Sequence, residues 1–346
     1  MGELRQNLAT REWVIIASER AKRPHEFAMP PEYGRCHFPE WDESCPFCPG
    51  NEESDLEVLR LPQAGEWQVR VVNNRYPALA AVGDVERHFD GVHRNISGVG
   101  YHELLIHSRR HNACHATESP ELVGLAMEAF YQRGLAIAQD SRIVQIIYFQ
   151  NHGISAGMSL PHPHGQLIAL PIVPYELRVR GEEAMRHYDN SGRCVMCDML
   201  HQELAEQARI VVETEHFVAF VPYAAYSPFH MWVLPKRHQS SYLMTTEAER
   251  ADLGSVLHHV LAALYRGLND PDYNYIIRSA PLRDGGGDYL HWYLTVVPRV
   301  SQAAGFELAS GMFINTALPE ESASFLRAHL EVDAAWDNGR SNLIGA

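Results

Sequence analysis

The sequence lacks any run of about 18 consecutive apolar residues, the length that a membrane-spanning helix needs. Its beginning, Met1 to Thr10, is polar and lacks the apolar core of a secretory signal peptide. We therefore expect a cytoplasmic protein that has no membrane partner.

Basic residues are also scarce. The chain has 29 Lys and Arg against 43 Asp and Glu, so its net charge is -14. A nucleic-acid surface usually needs a basic face, and we expect no nucleic-acid partner. A small anionic ligand is not excluded by this balance, because a few local arginines can hold a phosphate.

Cysteine is limited to six residues, but four of them form two C-x-x-C pairs. In a cytosolic chain this pattern favours metal over disulfides. Zinc prefers four soft or borderline ligands, and each pair supplies two thiolates from one tight turn. Each pair then needs two further ligands, for which recurring histidines are our choice. The predicted sets are Cys45, Cys48, His111 and His162 in the first half, and Cys194, Cys197, His238 and His291 in the second.

These two sets imply about two zinc ions per chain, in closed sites that build structure. The third ligand of the first set has rivals in His107, Cys114 and His115. The alternative interpretation of a C-x-x-C pair is simply two buried thiols.

The chain reads as two copies of one unit, predicted as residues 1–180 and 181–346. His111 to His162 and His238 to His291 have nearly the same separation. In each copy the pattern predicts strand, helix, strand, loop and strand. The expected segments are strands at 102–107, 142–150, 167–170, 231–234, 273–278 and 292–297, with helices from Ser119 and from Thr245 to Leu264. This order predicts an α+β fold whose mainly antiparallel sheet is shared by two halves, with flanking helices.

The most informative segment runs from Phe149 to Gln166. A Gly/Ser-rich loop, which can turn backbone N–H groups towards an anion, precedes His162-Pro-His164-Gly-Gln166. Residues two apart on a strand face the same side, so His162, His164 and Gln166 are expected to form one row. A neutral imidazole can attack phosphorus, and an amide can donate to the oxygen on which charge grows. His164 and Gln166 are therefore the candidate catalytic residues.

A competing interpretation is that both histidines bind metal and neither is a nucleophile. The second half holds Tyr293 and Thr295 at the places of His164 and Gln166. We therefore predict that the second half is a non-catalytic copy.

Three segments resemble the galactose-1-phosphate uridylyltransferase family of the histidine-triad superfamily. They are the segment from His162 to Gln166, Cys45-Pro-Phe-Cys-Pro-Gly-Asn-Glu52 and Arg20-Ala-Lys-Arg-Pro24. The resemblance covers nearly the whole chain. It implies a duplicated histidine-triad-like fold, a homodimer, and ping-pong transfer of a uridylyl group from UDP-glucose to a hexose 1-phosphate through His164, in galactose metabolism. It also implies nucleotide and sugar-phosphate contacts from Arg20, Arg23, Asn74, Asn151, Gly157, Ser159, Gln166, Phe306 and Glu307.

Two departures from the family pattern keep an alternative open. Arg75 stands where many uridylyltransferases have an acidic residue, and the segment after Glu307 lacks a glutamine that contacts the hexose in some members. The related branch that phosphorolyses ADP-glucose shares this C-terminal style and is the second hypothesis. Uridine is preferred because the His162 to Gln166 segment has the form typical of uridylyltransferases. A third hypothesis is a zinc-stabilised nucleotide-binding protein without chemistry.

Overall fold

The computed structural model describes residues 2–17, 23–30, 38–283 and 287–330. The strands are β1 (Glu3–Gln6), β2 (Trp13–Ile16), β3 (Glu57–Leu61), β4 (Val69–Asn73), β5 (Arg87–Asp90), β6 (His93–Ile96), β7 (Tyr101–Ile106), β8 (Gln145–His152), β9 (His164–Leu170), β10 (Ile210–Glu213), β11 (Phe217–Phe220), β12 (Met231–Pro235), β13 (Tyr273–Arg278), β14 (Tyr293–Pro298) and β15 (Phe313–Asn315). The helices are α1 (Pro120–Ile137), α2 (Tyr175–Ser191), α3 (Val195–Glu206), α4 (Glu247–Leu268), α5 (Gly305–Ser310) and α6 (Pro319–Ala328). None of these described helices is both long and apolar enough to cross a membrane.

One large sheet organises the molecule. Within the described residues its ten strands follow the order β10-β11-β12-β14-β13-β8-β9-β7-β4-β3, and every neighbouring pair is antiparallel. The predicted α+β class with a mainly antiparallel sheet is confirmed.

The strand order repeats about the centre of this sheet. β3, β4, β7, β9 and β8 on one side have the same spatial order as β10, β11, β12, β14 and β13 on the other. β8 pairs with β13 at the junction, so one sheet is continuous through both copies. The predicted division at residue 180 falls inside helix α2 and stays a prediction.

The two long helices α1 and α4 pack against each other beside the sheet. They cross so closely that a Cβ on Gly254 would lie 2.3 Å from the Cα of Gly124. Their starts follow from local signals: the Ser119 side chain accepts a hydrogen bond from Leu122 N, and Thr246 forms a capping box with Glu249. Apolar side chains of both helices then join the largest core cluster.

The strand predicted at 142–150 begins instead at Gln145. The Asp140 carboxylate accepts hydrogen bonds from the backbone N–H and the guanidinium of Arg142, which holds these residues in a turn before the strand. The other predicted strands and helices differ from the observed ones by a few residues at their ends.

The remaining strands flank the large sheet. β1 and β15 each pair with β2, so the chain's first strands and its C-terminal region form one small sheet. β5 and β6 form a separate hairpin. Helix α3 contributes Val195, Met196 and Leu200 to a second core cluster, with Phe220 and Trp232 of the large sheet.

Candidate active site and metal centres

His164 is the first residue of β9 and is 5% exposed. Its Nδ1 lies 2.9 Å from the backbone oxygen of His162. A carbonyl can only accept a hydrogen bond, so Nδ1 carries the proton and donates it. The lone pair of the neutral ring is therefore on Nε2, the nitrogen that can act as a nucleophile.

His162 differs from the expectation that it stands in one row with His164 and Gln166. It precedes β9, and its Nδ1 lies 3.6 Å from Cys48 Sγ while its Nε2 donates to the backbone oxygen of Ser108 at 2.9 Å. The ring points into the cysteine cluster because β9 geometry begins only at His164. The row consists of His164 and Gln166 alone.

Gln166 is held by a histidine that sequence reasoning did not single out. Gln166 Oε1 lies 3.0 Å from His102 Nε2, and His102 Nδ1 accepts a hydrogen bond from the backbone N–H of Ala78 at 3.2 Å. Since Nδ1 is an acceptor, Nε2 carries the proton of the neutral ring and donates to Gln166. The Gln166 carbonyl is thus occupied, and its NH2 group faces the other way. Asn74 lies beside this pair, and its Oδ1 accepts a hydrogen bond from the backbone N–H of Tyr76.

The close approach of β9 to α1 explains why a glycine, Gly165, separates the side chains of His164 and Gln166. A Cβ at this position would lie 2.8 Å from Cζ of Phe130, which belongs to α1. Any larger residue would push β9 away from the helix. The glycine lets the strand lie close to α1 while His164 and Gln166 remain on the opposite face.

Asn151, Gly157 and Ser159 lie in β8 and the loop that follows it. Asn151 follows Gln150, whose partner across the sheet is Gly165, so Asn151 stands next to the start of β9. Its Oδ1 accepts a hydrogen bond from Asn274 Nδ2 at 2.9 Å. Gly157 has φ +91°, and both Gly157 and Ser159 are exposed. The structure therefore brings this loop to the edge where His164 lies.

The structure brings the first predicted metal set together. The ligand atoms of Cys45, Cys48, His111 and His162 all lie within 4.8 Å of one another, and all four residues are buried. Cys48 Sγ lies 3.5 Å from His111 Nδ1 and 3.6 Å from His162 Nδ1. A tetrahedron with the usual zinc–sulfur and zinc–nitrogen lengths has S···N edges of about 3.5 Å. The donor set and spacing therefore fit a tetrahedral metal ion.

The second set has the same arrangement at a more exposed place. Cys194, Cys197, His238 and His291 also have ligand atoms within 4.8 Å, but His238 is exposed and Cys197 is half-buried. Cys197 Sγ lies 3.3 Å from His238 Nδ1 and 3.5 Å from His291 Nδ1. The two Cys2His2 groups can each hold a metal ion. The rival ligands His107 and His115 instead stack on each other, with ring centroids 3.8 Å apart.

Phe47 links the first metal group to the candidate nucleophile. Its ring centroid lies 5.9 Å from that of His162 and 5.6 Å from that of His164. Phe47 also lines a cavity of about 260 Å³. Apolar side chains of Leu56, Val72, Leu104 and Leu160 line it together with Asn74, and the ion pair between Arg75 and Glu53, at 2.7 Å, is part of its wall.

Four predicted contact residues are not placed at this edge. Arg20 lies outside the described residues. Arg23 is exposed and precedes a short turn that packs on the second half, where Phe27 contacts Phe229 with centroids 5.6 Å apart. Phe306 and Glu307 belong to α5 beside the small sheet. Glu307 accepts a hydrogen bond from Ala304 N, which lowers the pKa of its carboxyl.

Comparison with known proteins places this geometry in a family. The N-terminal domain of galactose-1-phosphate uridyl transferase matches residues 2–174, and its C-terminal domain matches residues 181–333. An ADP-glucose phosphorylase from Arabidopsis thaliana is 35% identical over 331 residues, which cover 94% of this chain and 92% of the relative. A galactose-1-phosphate uridylyltransferase from Thermotoga maritima is 31% identical over 337 residues, which cover 94% and 98%.

Solved structures agree with these matches. The crystal structure of an ADP-glucose phosphorylase from Arabidopsis thaliana with bound ADP-glucose superposes with a TM-score of 0.80 at 33% identity, covering 96% of this chain and 100% of the other. The fold, the site and these relatives define an enzyme of the nucleotidyltransferase class. The chain belongs to the galactose-1-phosphate uridyl transferase family.

Two residues of the site were missed by sequence reasoning. Phe47 lies between the two cysteines of the first pair, and His102 is the second residue of β7, a strand whose alternate residues point to one face. The alternation could have indicated that His102 faces away from the helix side. Its pairing with Gln166 could not be read, because that depends on the register between β7 and β9.

Proposed function

We propose that this enzyme transfers a nucleotidyl group from a sugar nucleotide to a phosphorylated acceptor through a covalent intermediate on His164. The observation that carries the proposal is the hydrogen bond from His164 Nδ1 to the backbone oxygen of His162, at 2.9 Å. It selects the tautomer whose Nε2 lone pair can attack phosphorus. The competing hypothesis, that both histidines bind metal, lacks this support, because the first Cys2His2 group contains His162 but not His164.

The proposed reaction has two steps. Nε2 of His164 attacks the α-phosphorus of the sugar nucleotide, a P–N bond forms, and the bond to the bridging oxygen breaks so that sugar 1-phosphate leaves. A phosphate oxygen of the acceptor then attacks the same phosphorus, and the P–N bond breaks to restore the imidazole. Nδ1 keeps its proton throughout and donates a hydrogen bond to the His162 carbonyl. This hydrogen bond stabilises positive charge on the ring. The NH2 group of Gln166 donates to a non-bridging oxygen, on which negative charge grows.

As the particular reaction, we propose UDP-glucose:hexose-1-phosphate uridylyl transfer, within galactose metabolism. The family matches over both halves and the Thermotoga maritima relative support this assignment. The cavity beside Phe47 is the proposed nucleoside site, because apolar side chains form much of its wall and one of them, Phe47, lies next to His164. Asn74, Asn151, Gly157 and Ser159 are proposed substrate contacts near this edge.

A second candidate is the phosphorolysis of ADP-glucose, which would release ADP and glucose 1-phosphate. The Arabidopsis relative, at 35% identity over 94% of this chain, favours it. The ion pair of Arg75 with Glu53 supports it too. Arg75 places a basic residue in the wall of the proposed nucleoside cavity, at the position where many uridylyltransferases have an acidic one. In this reaction His164 carries an adenylyl group instead, and inorganic phosphate attacks that intermediate.

We assign zinc to both Cys2His2 groups, because the ligand spacing suits tetrahedral coordination by sulfur and nitrogen. When bound, zinc would fix the loops that carry its ligands, including the one that leads to His164. The chain would act in the cytoplasm as a homodimer, in which Arg20, Arg23, Phe306 and Glu307 contribute sugar-phosphate contacts.

One experiment separates these candidates. The protein is incubated separately with UDP-glucose and with ADP-glucose and its intact mass is measured, for the wild type and for His164→Ala. The proposal predicts a uridylyl adduct that His164→Ala does not form. An adenylyl adduct alone, with phosphate-dependent release of ADP, transfers the assignment to the second candidate. A His164→Ala protein that still exchanges labelled glucose 1-phosphate into sugar nucleotide would exclude this nucleophile.

A further inference from the structure

The second half contains a cleft that corresponds to the active site strand by strand. Trp232 pairs with Thr295 as Leu104 pairs with Gln166, and Arg278 pairs with Tyr293 at the first residue of β14. Counting from these pairs gives the equivalent positions of the two halves. They are Tyr293 for His164, Thr295 for Gln166, His230 for His102 and Arg278 for Asn151.

His230 lines this cleft and carries an unused hydrogen-bond donor. The ring is 2% exposed, and its Nε2 accepts a hydrogen bond from Trp232 Nε1 at 3.1 Å while lying 2.7 Å from Thr295 Oγ1. The proton of the neutral ring is therefore on Nδ1, which has no hydrogen-bond partner among the described residues. Burial, together with Arg278 and Arg180, lowers the pKa of His230 to about 3, so the ring is neutral at physiological pH.

Two guanidinium groups line the same cleft. Arg180 extends from α2 and donates to Tyr293 Oη at 3.4 Å, while its buried Nε has no hydrogen-bond partner within the described part of the chain. Arg278 lies at the end of β13. Neither arginine forms an ion pair with a described carboxylate. Both side chains are half-buried, so their unpaired positive charge is partly removed from water, at a cost that an anion would offset.

Two cavities that share some of their wall residues lie in front of these groups. A small cavity of about 20 Å³ is lined by His230, Thr295, Arg180, Arg278 and Tyr293. The last three of these also line a larger cavity of about 260 Å³, whose other walls include the apolar side chains of Leu177, Met185 and Leu290. The small cavity has room for about one water-sized oxygen atom. The acidic residues among the lining, Glu12 and Glu182, are both exposed.

We propose that the second half binds the phosphate group of a small phosphorylated metabolite between Arg180, Arg278 and the Nδ1 of His230. The guanidinium groups match the charge and the donor geometry of a phosphate, and the neutral histidine adds a third donor. The sugar or nucleoside that carries the phosphate would occupy the larger cavity. Tyr293 replaces the nucleophile, so the site binds and does not transfer. The former catalytic cleft would thus survive as a binding site in the non-catalytic half.

The test counts binding sites on the full-length protein. Equilibrium dialysis with labelled inorganic phosphate, glucose 1-phosphate and AMP is carried out on the wild type and on the double variant Arg180→Gln/Arg278→Gln. We expect one site per chain to weaken by more than about tenfold in the double variant, because charged hydrogen bonds are lost. Comparing the three probes shows whether the site takes phosphate alone or needs the attached sugar or nucleoside.

The control is Arg186→Gln, which removes an exposed arginine of the same helix that pairs with Glu183. Equal weakening in this control, or the same number and strength of sites in the double variant, would overturn the proposal. If the double variant does not fold by circular dichroism, the single variant Arg278→Gln serves instead, and unchanged binding in that folded variant would also overturn it. The result is independent of the proposed function, because adducts on His164 are scored separately by intact mass.

Discussion

His102 Nε2 donates a hydrogen bond to Gln166 Oε1 at 3.0 Å, across the pairing of β7 with β9. The backbone N–H of Ala78 fixes the tautomer of His102, and His102 in turn fixes which end of the Gln166 amide faces the substrate. Without this contact the amide could rotate by half a turn and present its oxygen to the phosphate. An acceptor placed there would repel the developing negative charge.

We therefore predict that His102→Phe lowers kcat for nucleotidyl transfer by about 10-fold to 100-fold, with a smaller change in KM, since one oriented donor is lost in the transition state. Steady-state kinetics and metal analysis on the same preparation check this. The matched control is His230→Phe, which removes the equivalent histidine of the other half and should leave kcat per folded molecule nearly unchanged. His102→Gln, which retains a donor, should recover part of the loss. Equal kcat in His102→Phe and the wild type at equal metal content would contradict the prediction.

The two proposed zinc sites should lose their ions at different rates. All four ligands of the group around Cys48 are buried, whereas His238 of the other group is exposed. A chelator should therefore remove about one metal ion per chain quickly, with a fall in melting temperature and little loss of turnover per folded molecule. Elemental analysis, thermal melting and activity followed over the same time course measure this. Cys194→Ser should reproduce that state, with its thermal stability lowered more than its turnover. Activity that falls in step with the first metal ion would show that the second half is needed for catalysis.

The crossing of α1 and α4 should tolerate no added methyl group. A Cβ on Gly254 would meet the Cα and N of Gly124 at 2.3 Å, and both of these are backbone atoms that cannot rotate away. Gly254→Ala should therefore lower the free energy of unfolding by about 2 kcal/mol. Gly181→Ala in α2 is the control, because nothing lies within 4 Å of its Cβ position. There alanine should raise the free energy of unfolding by about 0.5–1 kcal/mol through helix propensity. Chemical denaturation compares the two variants, and equal effects would refute the close crossing.

Glu249 should make the protein sensitive to acid. Its carboxylate accepts hydrogen bonds from Arg237 and from the backbone N–H of Thr246, and these interactions, with Arg237 first, lower its pKa from 4.5 to about 2. A depressed folded-state pKa contributes stability that is complete above pH 4.5 and is lost as the pH falls towards 2. The contribution is about 3 kcal/mol at neutral pH.

Glu249→Gln should therefore destabilise the protein at pH 7 and have progressively less effect relative to the wild type as the pH falls to 3. Urea denaturation at both values measures the difference. Glu247→Gln, at an exposed position of the same first turn, should show a much smaller effect at either pH. A difference between Glu249→Gln and the wild type that stays constant with pH would contradict the assignment.

The sequence by itself determined the features that depend on near neighbours. The helix start at Ser119 was readable because its side chain accepts a hydrogen bond from a backbone N–H three residues away. The two C-x-x-C pairs and the short spacing of His162 and His164 likewise indicated metal binding and phosphoryl chemistry from local patterns alone. The duplication was readable because similar motifs recur in the same order. Arg142 was misplaced in a strand, since its turn depends on an ion pair with Asp140 that outweighs its neighbours' preference for β structure.

Only the tertiary structure decided how distant side chains combine. His102 and Gln166 are 64 residues apart, and whether they meet depends on the register of two strands, in which a shift by one residue would turn every side chain to the other face. The same holds for Arg180 and Tyr293, which are 113 residues apart. Their contact joins helix α2 to strand β14, where Tyr293 stands at the position equivalent to His164. No short pattern marks such pairs, because the contacts are created by sheet pairing and helix packing over the whole chain. The proposed second phosphate site therefore became visible only in three dimensions.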